Sequence, residues 1–280
     1  MTYRTVLGVL ASEADVEPIA AAAVKLPAGR DVHLIGCHGE PSQFVVLSAP
    51  IDVPDVATLT ALYEQADSRM KVVGDAFAKV CAREGLSYEW RPVRSPGGDS
   101  ATSALATART ADLAIVRQPD TDKEDVATPN FESLLYDGGR PVLILPADGR
   151  LADTIRRVVI AWDGSREASR AVQDALPLLK AATDVQIVIV DAEKLADIDM
   201  PEPGADLAAS LSRHGVRATI TRLSRQSRTT AQVITEQVTA ANADLLVMGA
   251  YTHLKVREWL FGGVTRAFMD KVPVATLISR

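Results

Sequence analysis

The chain has 280 residues, 47% of them apolar and 24% charged, with a formal net charge of −6. This length suits two domains, each with apolar material for its own core, and the acidic balance argues against wrapping nucleic acid or lying on an anionic membrane. Cys37 and Cys81 show neither CxxC nor zinc spacing, the first residues lack a signal peptide's basic and long apolar regions, and no window reaches the ~18 apolar residues of a membrane helix, so a cytoplasmic protein is expected.

In chain order, Thr5–Ala11 is a continuous apolar run, the mark of a parallel strand covered on both faces. A helix follows with Ile19, Ala22, Ala23 and Leu26 on one side, then a second strand over Asp31–Cys37. A long helix is expected from Val56 to Arg83, with Leu59, Leu62, Ala66, Met70, Val73, Phe77 and Val80 as its buried stripe and Gly85 as its stop. The third strand is LSYEWRPV, a short helix spans Ser100–Ala108, the fourth strand is Asp112–Gln118 and the fifth is PVLILP from Pro141. A polar linker lies near Ala147–Ile155.

The same order then recurs. Arg157–Trp162 is a strand, and Asp163-Gly164-Ser165 is a turn with helix N-cap chemistry. Ala168, Ala171, Val172, Ala175 and Leu179 recur at helical spacing. Val185–Asp191 is the next strand, a short helix carries Leu207 and Leu211, and Val216–Leu223 is the third strand. A helix over Thr230–Ala241, a strand over Ala243–Tyr251, a helix over Gly263–Lys271 and a last strand, VPVATLIS, complete the copy. ADLAIV from Ala111 matches ADLLVM from Ala243, and the fifth strands match likewise, so the chain reads as a duplication with domains 1–148 and 154–280. Alternating strands and helices imply an α/β fold, two tandem doubly wound domains with five-stranded parallel sheets. Ligands of such sheets bind beyond the carboxyl ends of the strands.

In the second copy those ends carry Asp163, Gly249 and, after a loop, Phe261-Gly262-Gly263-Val264-Thr265 at a helix start. Glycines there let backbone N–H groups approach an anion, and the helix dipole favours negative charge. His253, Lys255 and Arg257 within the loop offer further donors. The same residues have a plainer use: a Gly pair makes a tight loop-to-helix turn, and an Asp at a strand end caps the next helix.

The VVIAWDGS start, the DLLVMGAY strand and the GGVTR helix entry resemble the universal stress protein family, tandem type, whose domains are adenine-nucleotide alpha hydrolase-like. Its nucleotide-binding branch carries Gly, two residues, Gly, nine residues, Gly, then Ser or Thr. Counted from Gly249, this sequence keeps the spacing, with Thr252 at the second position, Gly262 at the third and Gly263 at the fourth. The resemblance implies a stress-response module that binds ATP, alone or with Mg²⁺, and catalyses little or nothing. Asp163 would meet the adenosine end, Ala161 and Val190 would line the base pocket, and Gly249, Thr252, Gly262, Gly263, Val264 and Thr265 would surround the ribose and phosphates. It also implies antiparallel pairing of the two fifth strands, an intrachain pseudo-dimer, with a homodimer of chains as an extension.

The first copy has Ala11 opposite Asp163 and Arg117 opposite Gly249, and its loop after the fourth strand is acidic and lacks the Gly pair, so no nucleotide is expected there. The sequence has no GxxxxGK[ST], GxGxxG after the first strand, nucleophile elbow or HExxH, which excludes Walker-type and dinucleotide enzymes and leaves no catalytic set. A scaffold or binder of another small molecule, with a vestigial second-copy site, is the alternative; an adenylyl-transfer enzyme of the wider superfamily ranks below both.

Overall fold

The structure is a computed structural model that describes residues 2–42, 56–95, 98–119, 130–193, 202–250 and 263–280. By compactness the chain divides into two units, Tyr3–Val24 with Ala28–Arg140, and Pro141–Arg280 with Met1–Thr2 and Lys25–Pro27.

In the N-terminal unit, β1 (Thr5–Val9), β2 (His33–Pro41), β3 (Ser87–Ser95) and β4 (Leu113–Arg117) are parallel, in the order β3-β2-β1-β4. Val6, Leu7 and Val9 are buried, as are Leu113, Ala114, Ile115 and Val116, which is why these strands read as unbroken apolar runs. The helices are α1 (Val16–Lys25), α2 (Val56–Glu84), the single turns α3 (Ser100–Ser103) and α4 (Leu105–Ala108), and α5 (Phe131–Asp137). Gly85 ends α2 at a positive φ of 70°, as its position in sequence predicts.

Three local expectations change. Of the expected stripe of α2, Ala66, Val73, Phe77 and Val80 are buried, Leu59 and Met70 are half-buried, and Leu62 is 40% exposed. Strand β2 continues beyond Cys37 to Pro41, because β3 pairs with it all the way to Ser95. Helix α5 was not expected: Asn130 caps it, its Oδ1 accepting from the Ser133 amide at 3.3 Å, and only Phe131, Leu134 and Leu135 are buried, too few for a periodic signal.

In the C-terminal unit the strands are β5 (Val142–Leu145), β6 (Arg157–Ala161), β7 (Asp184–Val190), β8 (Ala218–Leu223), β9 (Leu245–Gly249) and β10 (Thr276–Ser279). Their order is β5-β10-β9-β6-β7-β8. All neighbours are parallel except β5 and β10, which pair antiparallel with Leu143 opposite Leu277. The fifth strand of the first repeat thus covers the apolar edge that β10 would otherwise expose. Among the described residues, the helices of this unit are α6 (Arg166–Ala181), α7 (Ala205–Arg213), α8 (Thr230–Ala240) and α9 (Gly263–Asp270). The fold class is as expected: α/β, with parallel sheets joined through helical crossovers and the fifth strands paired antiparallel.

Candidate functional site

The central pair of strands in the C-terminal unit sets the site. β6 lies between β7 and β9, with Ala161 in register with Val188 on one side and Met248 on the other. Because all three strands are parallel, Ala161, Val190 and Gly249 come to their carboxyl ends together, where an open α/β sheet receives ligands.

Beyond Ala161 the chain turns sharply. The Asp163 carboxylate accepts from the Ser165 amide at 3.0 Å and from the Ser165 hydroxyl at 2.6 Å, an Asx turn that holds Gly164 at a φ of 73°. Ser165, not Asp163, is the N-cap of α6; its Oγ accepts from the Ala168 amide at 3.1 Å. Asp163 is exposed beside that cap and sets its shape. Glu167, in the first turn of α6, is buried at 4% exposure, and its Oε1 accepts from Arg166 Nε at 2.5 Å.

Gly249 meets this turn directly. A Cβ there would lie 2.6 Å from the Glu167 carbonyl carbon and 2.9 Å from Ala168 Cα, and nearer still to the Ala168 amide nitrogen. Strand β9 and the start of α6 therefore touch backbone to backbone, which only glycine permits. Gly263 is the reverse case: it is exposed at the start of α9, and a Cβ added to it would meet nothing within 4 Å. Val264 is half-buried, and Thr265 lies with Phe268 on the buried face of the helix. Thr252 and Gly262, together with His253, Lys255 and Arg257, lie outside the described residues.

At the end of β7, half-buried Val190 is followed by Asp191, whose φ is 53°. The Asp191 carboxylate accepts from the Arg225 amide at 2.8 Å and pairs with Arg225 Nε at 3.6 Å, tying the loop after β8 to the rim of the site. Between Ala161 and Asp163, the backbone of Trp162 still donates to Val188 O at 2.9 Å, while its indole Nε1 is shut off from solvent without a hydrogen-bond partner.

The N-terminal unit uses the equivalent positions for itself. Arg117, at the end of β4 where the other copy has Gly249, donates from Nε to Asp15 Oδ1 at 2.7 Å, and both side chains are at most 10% exposed. The second oxygen of Asp15 accepts from the Ala11 and Ser12 amides at 2.9 Å each. This strand end is thus occupied by an internal ion pair. Nearby, the two nitrogens of His38 lie 2.7 Å from Leu10 O and 3.2 Å from Glu40 Oε1, and Arg69 clamps Glu40 with bonds of 2.8 and 2.7 Å. Burial pushes the Glu40 carboxyl up, but the hydrogen bonds from Arg69 and His38 outweigh it and hold the group below the ordinary glutamate value. Burial raises the thiols of Cys37 and Cys81 to about 12, which makes both inert.

Of the nine residues singled out in the sequence, Ala161, Asp163, Val190 and Gly249 thus gather around the carboxyl ends of β6, β7 and β9, Gly263, Val264 and Thr265 open α9, and Thr252 and Gly262 are not described. Trp162, Glu167 and Asp191 were missed. The signal for Trp162 was present: the position matched to it in the first copy is Leu10, so a tryptophan replaces a plain core residue.

Residues 154–280 match the model of the Universal stress protein family. No curated protein sequence matches the chain. Among solved structures, a universal stress protein from Archaeoglobus fulgidus DSM 4304 is similar over 99% of this chain and 98% of that one, with 16% identity and a TM-score of 0.67. A protein described as functionally unknown, from Pseudomonas aeruginosa PAO1, is similar over 99% of this chain and 92% of its own, at 16% identity and a TM-score of 0.54. The cytoplasmic domain of a prokaryotic cation chloride cotransporter covers 99% of this chain and 95% of itself, at 13% identity and a TM-score of 0.50. At such identities the likeness is one of fold, and it extends across both repeats. The sequence likeness to the universal stress protein family is thus carried by residues 154–280.

Proposed function

We propose that the C-terminal unit is an ATP-binding module of a stress-response protein, acting through ligand-dependent contacts rather than catalysis, in the cytoplasm. The observation that carries this reading is the open start of α9. Gly263 faces space where a Cβ would meet nothing, at a helix N-terminus whose dipole favours a phosphate. In this reading Ala161 and Val190 flank the base, Asp163 takes the nucleoside end, and Gly249, Thr252, Gly262, Gly263, Val264 and Thr265 surround the ribose and phosphates, with or without Mg²⁺. In support of this reading, Gly263 leaves room at the start of α9, where a Cβ would meet nothing within 4 Å. Among the described residues no helix is long and apolar enough to cross a membrane, and no group of His, Cys, Asp and Glu is set to hold a metal by itself.

A second reading has its own support. Gly249 is required by the contact with Ala168, and Asp163 by the turn that shapes the α6 cap. Both residues would persist in a scaffold, or in a binder of another small molecule, that had lost the nucleotide. Mass spectrometry of small molecules released from the purified protein separates the two. ATP or ADP in the parent, absent from Gly263→Asp and reduced in Asp163→Asn, is the expected result. Asn keeps the acceptor that the turn needs, and Asp at 263 sets a carboxylate against the phosphates. No nucleotide in the parent, with no heat on titration with Mg·ATP, would leave the scaffold reading.

A further inference from the structure

In the N-terminal unit the ring of His38 lies between two acceptors. Its Nδ1 is 2.7 Å from Leu10 O, just past β1, and its Nε2 is 3.2 Å from Glu40 Oε1, two residues further along β2. Both side chains are buried, at 4% and 6% exposure. A neutral imidazole has one N–H and one lone pair. A carbonyl oxygen brings no proton, so Nδ1 must be the donor to Leu10. Glu40 brings none either, because Arg69 clamps it as a carboxylate with bonds of 2.8 and 2.7 Å. The contact at Nε2 therefore needs a second ring proton, and it is a hydrogen bond only while His38 is an imidazolium.

Packing does not call for a histidine here. Leu10 N donates to Cys37 O as Trp162 N does to Val188 O, which sets His38 opposite Ile189 in the other repeat. Ile189 is fully buried, so an apolar side chain satisfies this place in the fold. The other charged groups on the surrounding elements are already engaged. Beyond Leu10, Asp15 is paired with Arg117; on β3, Arg91 is paired with Glu89 and Arg94 with Asp67 of α2. From α3, Ser100 Oγ accepts from the Gly39 amide at 2.9 Å, and Asp99 is spent on the helix cap. The Cys37 thiol, raised to about 12, stays neutral. Trp90 of β3 is stacked on His38, with the ring centroids 6.3 Å apart and the planes 15° from parallel.

We propose that His38 is a pH-gated brace of the N-terminal unit. Protonated, it donates to Leu10 O and to Glu40, and through Glu40 it joins the ends of β1 and β2 to Arg69 on α2. Loss of the Nε2 proton leaves a lone pair facing a carboxylate oxygen, so that contact opens while the bond to Leu10 stays. Arg69 Nε bonds the same Glu40 oxygen, so α2 feels the change. Glu40 itself remains a carboxylate throughout, since the bonds from Arg69 and His38 hold its carboxyl below 4.5. The brace closes as the pH falls through the range in which histidine titrates, about pH 5–8.

The test is an NMR titration of the full-length protein between about pH 5.5 and 8.5. It follows the ring nitrogens of His38, the Arg69 Nε–H and the Trp90 indole N–H. The expected result is two ring N–H groups at the acid end and loss of the Nε2–H at the alkaline end, with the Arg69 and Trp90 signals moving at the same midpoint. In His38→Phe, which sets an apolar side chain where the other repeat has isoleucine, the Arg69 and Trp90 transitions vanish. Should that variant fail to fold, the ring signals of the parent decide the matter. A ring with one N–H at the acid end would overturn the proposal, and so would a ring that keeps two at the alkaline end. An Arg69 Nε–H that ignores the His38 transition would overturn it as well.

Discussion

Replacing Gly249 by alanine tests whether the site is built on a backbone contact. The added Cβ would sit 2.6 Å from the Glu167 carbonyl carbon and 2.9 Å from Ala168 Cα, where ordinary contact begins at 3.4 Å. Neither atom belongs to a flexible side chain. Strand β9 is pinned between β6 and β10 by its ladders, so the start of α6 must retreat by about 1 Å, taking the Ser165 cap with it. Overpacking of this kind costs about 1–3 kcal/mol, and the upper end applies here because backbone moves rather than a rotamer. Gly263→Ala is the control, since its methyl group meets nothing. Urea unfolding of the full chain should place Gly249→Ala roughly 2–3 kcal/mol below the parent and Gly263→Ala within about 0.5 kcal/mol of it. Nucleotide affinity should fall in both, in the first through a displaced turn and in the second through a methyl group in the phosphate cradle. A Gly249→Ala protein as stable as the parent would refute the close approach, and with it the account of why this strand end carries glycine.

Other outcomes follow from the N-terminal unit. Arg117→Ala strips a guanidinium from Asp15, a carboxylate only 6% exposed. Breaking a buried pair by removing one partner costs about 3–5 kcal/mol, and the two backbone amides that remain on Asp15 put the expectation near the lower figure; a loss under about 1 kcal/mol would mean the pair is not buried as described. For Glu40, the folded carboxyl is depressed below its usual 4.5, so its contribution to stability is complete above that value and disappears as the pH falls through the folded one. Glu40→Gln should therefore flatten the acid limb of a stability-versus-pH profile below about pH 4.5, and an unchanged limb would count against the Arg69 clamp.

Much of the fold was legible because its strands are buried on both faces and its helices on one. Runs such as VVIA and LLVM, short and continuous, read as covered strands, and the recurrence of the same order of elements marks the duplication. Legibility failed where burial is partial or local. Helix α5 has three buried residues, and α2 carries an apolar stripe longer than the surface it packs on, so Leu62 fits the pattern yet stands exposed. The site was legible as a set of strand ends and glycines; Asp163 was placed on the right turn, although Ser165 holds the cap.

From the chain alone came the repeat, the α/β class and the loss of the glycine pattern in the first copy, since each is a matter of which residue types recur and in what order. Tertiary structure alone decided that Arg117 finds Asp15 across 102 positions of sequence, that Gly249 presses on the start of α6 while Gly263 faces open space, and that one indole N–H is buried without an acceptor. Those are distances between segments remote in sequence, and periodicity carries no information about them.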